Sequence, residues 1–271
     1  MLGSSQALVN WLQPYADAVE LPYLPAHVPT VLRSLIFFCS LQVLSSGLST
    51  VLLPRAMRRL SPKARTQWDV HVVSFVHSAV IGPLSLYFWY YGVENIHRAL
   101  GYDYTVAQIY ATSLGYFFWD IYISARYDGL AFVIHGVLAS LGIVCVFRPV
   151  LMIDGLSFLT WELSTPFLNI HWFLDKLFLT GSWMQLVCAV FLLISYVSVR
   201  LVLGIFQTFK IISLVWDPAN NVPPFQRTLY TVGPIVLDFL NYLWFFKMLR
   251  AVQKRFLPAK QPAEKTQAAK Q

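Results

Sequence analysis

The chain is 271 residues long, 57% hydrophobic and only 12% charged, with a mean hydropathy of +0.57. Soluble globular domains hold about 45–50% apolar and about 25% charged residues, so this composition excludes an ordinary soluble fold and asks for a bilayer as solvent. The net charge of +7 does not select a nucleic-acid partner. The basic residues stand in short runs beside hydrophobic spans, where such runs orient helices and meet anionic headgroups.

Residues 1–30 contain no Lys or Arg and are broken by Pro14, Pro22, Pro25 and Pro29, unlike a cleavable signal peptide. They read as a non-cytoplasmic extension with an interfacial helix around 7–15. A helical span needs about 20 mostly apolar residues. Five stretches qualify, at about 31–53, 70–91, 106–124, 184–209 and 229–249, and a sixth, 129–147, stops before Arg148-Pro149. A seventh, 150–168, holds Asp154, Glu162 and Pro166, and hydropathy alone leaves it open. Charge decides it. The first loop carries Arg55, Arg58, Arg59, Lys63 and Arg65, and the C-terminal end carries Lys247, Arg250, Lys254, Arg255 and Lys260. Both ends should be cytoplasmic by the positive-inside rule, which requires an even number of crossings between them and makes 150–168 a span. The expected fold is an all-α polytopic membrane protein with seven transmembrane helices over 31–250, its N-terminus luminal and its C-terminus cytoplasmic. Residues 251–271 form a basic tail, polar and disordered in composition from 258 onward.

Ionisable side chains inside a span cost about 2.5–3.5 kcal/mol each on insertion scales, so each needs a reason. Here they are His71, His77, Asp120, His135, Glu162, Arg200 and Asp238, spread over six predicted helices. That spread suggests a lined cavity rather than one catalytic pair. His71, near a span end, reads as interfacial, and Arg200 reads as a carboxylate partner or a snorkelling residue. Asp238 with Asn241 reads as interhelical glue. His77, Asp120, His135 and Glu162 sit deeper and in richer polar surroundings. Pro166 should free a backbone carbonyl near Glu162, which Ser164, Thr165 or a neighbouring helix could satisfy. Cys39, Cys145 and Cys188 fall in apolar segments and read as packing residues. No nucleophile elbow, phosphate loop, dinucleotide fingerprint or zinc motif occurs, so no cofactor and no metal are expected.

Four runs taken in order resemble a known domain. They are Trp68 to Ser78 (WDVHVVSFVHS), Gly115 to Asp120 (GYFFWD), Asp128 followed by Ile134-His135, and Glu162 to Asn169 (ELSTPFLN) with Trp172. Together they resemble the TLC domain, the homology region shared by TRAM, Lag and CLN proteins, over about 65–250. The Glu162 to Asn169 run, and Val236 to Asn241 with Trp244, look like the small TLC domain-containing branch rather than ceramide synthases. The resemblance implies six helices forming a TLC-type bundle around a lipid-sized cavity, an endoplasmic reticulum home, and a role in membrane lipid homeostasis. The partner it implies is a fatty acyl or sphingolipid-like ligand, contacted by His77, Tyr116, Asp120, Asp128, Trp161, Glu162, Asn169 and Asp238. Ceramide synthases carry two adjacent histidines in the fourth helix, where this chain reads His135-Gly136, and the following His-Asp pair is replaced by Ile153-Asp154. An acyltransferase would have to use His135 alone as its catalytic residue. A lipid transporter or scramblase using the Pro166 break is a third reading.

Overall fold

A computed structural model describes residues 2–94, 96 and 100–256; the tail expected to be disordered, 258–271, lies outside them. The described residues are helical with no strand. In chain order the helices are α1 (Leu2–Ala18), α2 (Leu24–Leu52), α3 (Pro54–Arg59), α4 (Pro62–Tyr91), α5 (Tyr104–Tyr127) and α6 (Leu130–Val146). There follow α7 (Met152–Leu159), α8 (Thr165–Lys176), α9 (Trp183–Tyr196), α10 (Leu203–Trp216) and α11 (Pro224–Phe256). A 3-10 turn, Thr160–Ser164, joins α7 to α8, and a π-helical turn, Val197–Val202, joins α9 to α10.

Local chemistry explains the starts. Ser61 caps α4 by accepting from the Ala64 N–H at 3.3 Å, Asp103 caps α5 from Val106 at 2.8 Å, and Ser182 caps α9 from Gln185 at 3.3 Å. Only Asp128 and Gly129 separate α5 from α6, and Gly129 turns the chain with a φ of 108° that a side chain would strain. Four helical stretches are long and apolar enough to cross a bilayer: Leu24–Leu52, Pro62–Tyr91, Trp183–Trp216 and Pro224–Ala251. Their outward faces expose large apolar side chains such as Ile36, Val43, Phe206 and Phe239. α6 is apolar but 17 residues long, and α5 is longer but less apolar.

The segment predicted as 150–168 is helical but not one regular helix. Pro166 lies in the first turn of α8, where its missing N–H is not needed. The Glu162 carbonyl that it would have met is taken by the Thr165 N–H, tightening the turn. Hydroxyls three residues on occupy other carbonyls here. Ser157 donates to Asp154 O (2.7 Å), Thr160 to Ser157 O (2.5 Å) and Ser164 to Trp161 O (3.0 Å).

α5 is the centre of the molecule, buried along Val106, Tyr110, Leu114, Phe117 and Ile123 between α2, α6 and α7. α2 and α5 run parallel, as the even spacing of their bonds shows. Thr30 donates to Gln108 (2.7 Å), Ser34 to the Thr112 carbonyl (2.6 Å), and Trp119 to Gln42 (2.9 Å). At the α2 start, His27 meets Gln108 and Tyr102, and burial pushes the Tyr102 hydroxyl, which lies outside the spans, up to about 12. The crossing depends on Gly115, because a Cβ there would sit 2.6 Å from both the Val31 carbonyl oxygen and the Ser34 Cβ. Gly115→Ala is therefore expected to destabilise by about 1–3 kcal/mol through overpacking, although alanine is the better helix former. A lowered thermal unfolding midpoint is the check.

Candidate functional site

A cavity opens among α5, α6, α7, α10 and α11, with about 100 Å³ open to the centres of water-sized molecules. Leu138, Ala139, Ile143, Phe158, Leu159 and Leu237 give it apolar walls, and Trp161, His135, Glu162 and Arg200 are among its polar lining residues. Tyr110 and Tyr230 also line it, but their hydroxyls are turned to backbone carbonyls, of Met152 (2.8 Å) and Gly142 (3.3 Å). His135, Glu162 and Arg200 lie within electrostatic reach of one another. The result is a mostly hydrocarbon-lined space carrying one charged cluster.

Each member of the cluster is held differently. His135 sits edge-on to Phe117 and Trp244, at centroid distances of 6.0 and 5.5 Å, and its Nδ1 has no hydrogen-bond partner among the described residues. Glu162 rides on the 3-10 turn, and its Oε2 likewise lacks a hydrogen bond. It lies 3.8 Å from Nδ1 of His77, too long for a hydrogen bond but close enough for charge to act. Arg200, expected to pair with a carboxylate or to snorkel, is buried and makes no direct ion pair among the described residues. It is 8% exposed, donates to Ser164 (3.0 Å), Thr165 (3.1 Å) and Asn241 (3.2 Å), and lies 5.3 Å from the Tyr196 ring centre. The π turn changes the phase between α9 and α10, so that Arg200 faces inward while Val202 faces out. Such widened turns concentrate at functional sites.

The other predicted residues spread around this centre. His77 is stacked on Tyr116 (3.7 Å, 7°) and forms a wall beside Glu162. Asp120 lies in the α5–α6 seam, its Oδ2 3.5 Å from where a Cβ on Gly136 would stand. Asn169 is bonded to His71 (2.6 Å) and donates to Ser74 (3.2 Å), away from the cavity lining. Asp238 accepts from Thr208 (2.7 Å), while its Oδ1 has no hydrogen-bond partner among the described residues and faces Gly204 beside the Trp161 indole. Asp128 is exposed at the C-terminal cap of α5, outside the cavity. Sequence reasoning passed over Lys210, bonded to the buried Asp154 at 2.7 Å, and Arg33 in α2. Both carried the usable signal, a charge in or beside an apolar run.

Comparison with known proteins identifies the family. The family model described as the TLC domain matches residues 67–250. The chain is 36% identical over 256 residues to an uncharacterized TLC domain-containing protein of Schizosaccharomyces pombe, covering 92% of this chain and 87% of that one. It is 28% identical to TLC domain-containing protein 4-B of Danio rerio, covering 81% and 84% of the two chains. It is 25% identical to Topoisomerase I damage affected protein 4 of Saccharomyces cerevisiae, covering 86% and 87%. The chain is thus an integral membrane protein that belongs to the TLC-domain family, among the TLC domain-containing proteins rather than the ceramide synthases.

Proposed function

We propose that this protein binds a membrane amphiphile, a fatty acyl or sphingolipid-like molecule, and through it contributes to membrane lipid homeostasis. The observation that carries this reading is the cavity itself, with hydrocarbon walls and one cluster of His135, Glu162 and Arg200. Apolar walls suit an acyl chain, and the unbonded His135 Nδ1 and Glu162 Oε2 suit a headgroup that supplies the missing hydrogen bonds. The chain lies in the endoplasmic reticulum and crosses the bilayer seven times, N-terminus luminal. In support, helix continues from Met152 to Lys176 and basic residues crowd α3 and the end of α11.

The test is lipid extracted from the purified full-length protein, identified by mass spectrometry and then added back. One lipid class should be retained by the wild type and should raise its unfolding midpoint. Glu162→Gln should bind that class about tenfold more weakly, as expected for losing one hydrogen bond to a charged group. Gly142→Leu is the steric counterpart. A Cβ at this cavity-lining glycine meets nothing within 4 Å, so a side chain can begin there without a backbone clash, and its bulk should displace the lipid. A wild type that retains no lipid and gains no stability from any lipid would sink the proposal.

The buried Nδ1 of His135, unbonded among the described residues on a ring that lines the cavity, favours a second reading, acyl transfer with His135 as base. No carboxylate is bonded to that ring among the described residues, and an acyl-transfer base ordinarily needs an orienting partner. Equal acyl transfer by wild type and His135→Ala would dispose of it.

A further inference from the structure

α2 is clamped to α4 at one end and parts from it at the other. Ser45 donates to Asp69 at 2.7 Å, and Trp68 to Ser49 at 2.9 Å, holding the two helices together. Toward its start, α2 follows α5 instead, through the Ser34 and Thr30 bonds. The divergence leaves a lateral groove of about 400 Å³. Its sides are Phe37 and Val80, both exposed, with Val76 between them. His77 forms the floor, 1% exposed, and neither ring nitrogen has a hydrogen-bond partner among the described residues.

Arg33 stands at the rim. It is exposed, and among the described residues its guanidinium bonds within its own helix, to the Pro29 carbonyl at 3.2 Å and to Thr30 at 3.0 Å. No carboxylate pairs with it among the described residues. A lone cation on a lipid-facing helix is costly within hydrocarbon and needs a counter-charge. Its height identifies the source of that charge. α2, at about 1.5 Å per residue, is roughly 43 Å long against a hydrocarbon core of about 30 Å, so both ends reach the headgroups. Arg33 lies about 13 Å from the start of the helix. Its side chain turns back toward Pro29, that is, toward the phosphate layer.

We propose that this groove binds an anionic phospholipid of the surrounding bilayer, its phosphate on Arg33 and an acyl chain along Phe37, Val76 and Val80. The site is separate from the inner cavity and faces the bilayer directly. α2 lies before residue 67, where the match to the TLC domain begins, whereas His77, Val76 and Val80 lie within it, so the groove forms where α2 meets the family domain. Occupancy here does not depend on whether the inner cavity holds lipid.

A photo-crosslinking residue in place of Phe37 tests it, in full-length protein reconstituted into phosphatidylcholine nanodiscs containing a minority of phosphatidylserine. Phosphatidylserine should be captured about fivefold above its share of the bilayer, the enrichment expected from one cation beside an anionic headgroup. R33Q should return capture to the bulk share, R33K should keep most of the enrichment, and Val80→Trp, which fills the groove but leaves the cation, should reduce capture of both lipids. The Val80 and R33K variants decide the matter should R33Q fail to fold. Capture that mirrors bilayer composition in the wild type, enrichment that survives R33Q, or preferential capture of added oleate over phosphatidylserine overturns the proposal.

Discussion

Arg200→Met should lower the stability of the purified protein by about 3 kcal/mol, taking roughly 1 kcal/mol for each of three hydrogen bonds between membrane helices. The loss exceeds that of an ordinary surface arginine because one guanidinium ties three segments. Its Nε donates to Ser164 at the end of the 3-10 turn, one Nη to Thr165 at the start of α8, and the other to Asn241 of α11. Methionine has comparable length and no donor, so those acceptors would be left unpaired in a site where water is scarce. Arg200→Lys should recover part of the loss, since an ammonium cannot span the same fork. The measurement is the thermal unfolding midpoint of each variant in one detergent, with retained lipid quantified alongside. An unchanged midpoint in Arg200→Met would show that the tie is not what holds these segments. The same substitution also removes a cation from the cavity wall, so lipid retention should fall with it.

Gly136→His, which restores the adjacent histidine pair, is expected to damage the fold rather than create an acyltransferase. A Cβ on residue 136 would lie 2.8 Å from Ile121 Cγ1 and 3.5 Å from the Asp120 carboxylate. The position therefore faces the α5–α6 seam, whereas His135 faces the cavity. Forcing an imidazole into that seam should cost about 1–3 kcal/mol, or more, through overpacking. Ile121→Ala in the same chain should restore part of the stability, and a double-mutant cycle on the two positions isolates the coupling. Neither variant is expected to show acyl-CoA-dependent transfer. Activity gained by Gly136→His at undiminished stability would refute this account. The glycine is thus a packing choice that closes two helices on each other, and the missing histidine is its consequence.

Hydrophobic runs located the long apolar helices because span length is a one-dimensional property of a membrane chain. The cluster around Glu162 was legible for a similar reason: a carboxylate, two hydroxyls and a proline in an apolar run are conspicuous. Pro166 signalled an irregular helix, yet the irregularity lies upstream of it, at Thr160–Ser164, because a proline in the first turn fits a helix without distortion. The partners of Arg200 were not legible. A π turn adds a residue to one turn, and nothing in Val197–Val202 announces it, so the side chains that Arg200 meets could not be read from its position in the run. Asp128 was drawn in by its place in a family-like run, but the run ends at a helix cap and leaves that carboxylate exposed. Arg33 was overlooked because one charge near the start of a long apolar run does little to the mean hydropathy.

The central place of α5 bears on how independent the family domain is in this chain. Gly115, Ser113 and Trp119 are buried, and α2 covers α5 along Val31, Ser34 and Gln42. α2 lies wholly before residue 67, where the match to the TLC domain begins. The recognised domain therefore borrows one wall from sequence that does not belong to it. Cutting the chain ahead of α4 would bare the Thr112 carbonyl, the Gln108 amide and the Trp119 indole to lipid tails, which offer none of them a hydrogen bond. In this protein the start of the family model, residue 67, and the start of the packed unit are different lines, and the packed unit runs at least as far back as Leu24.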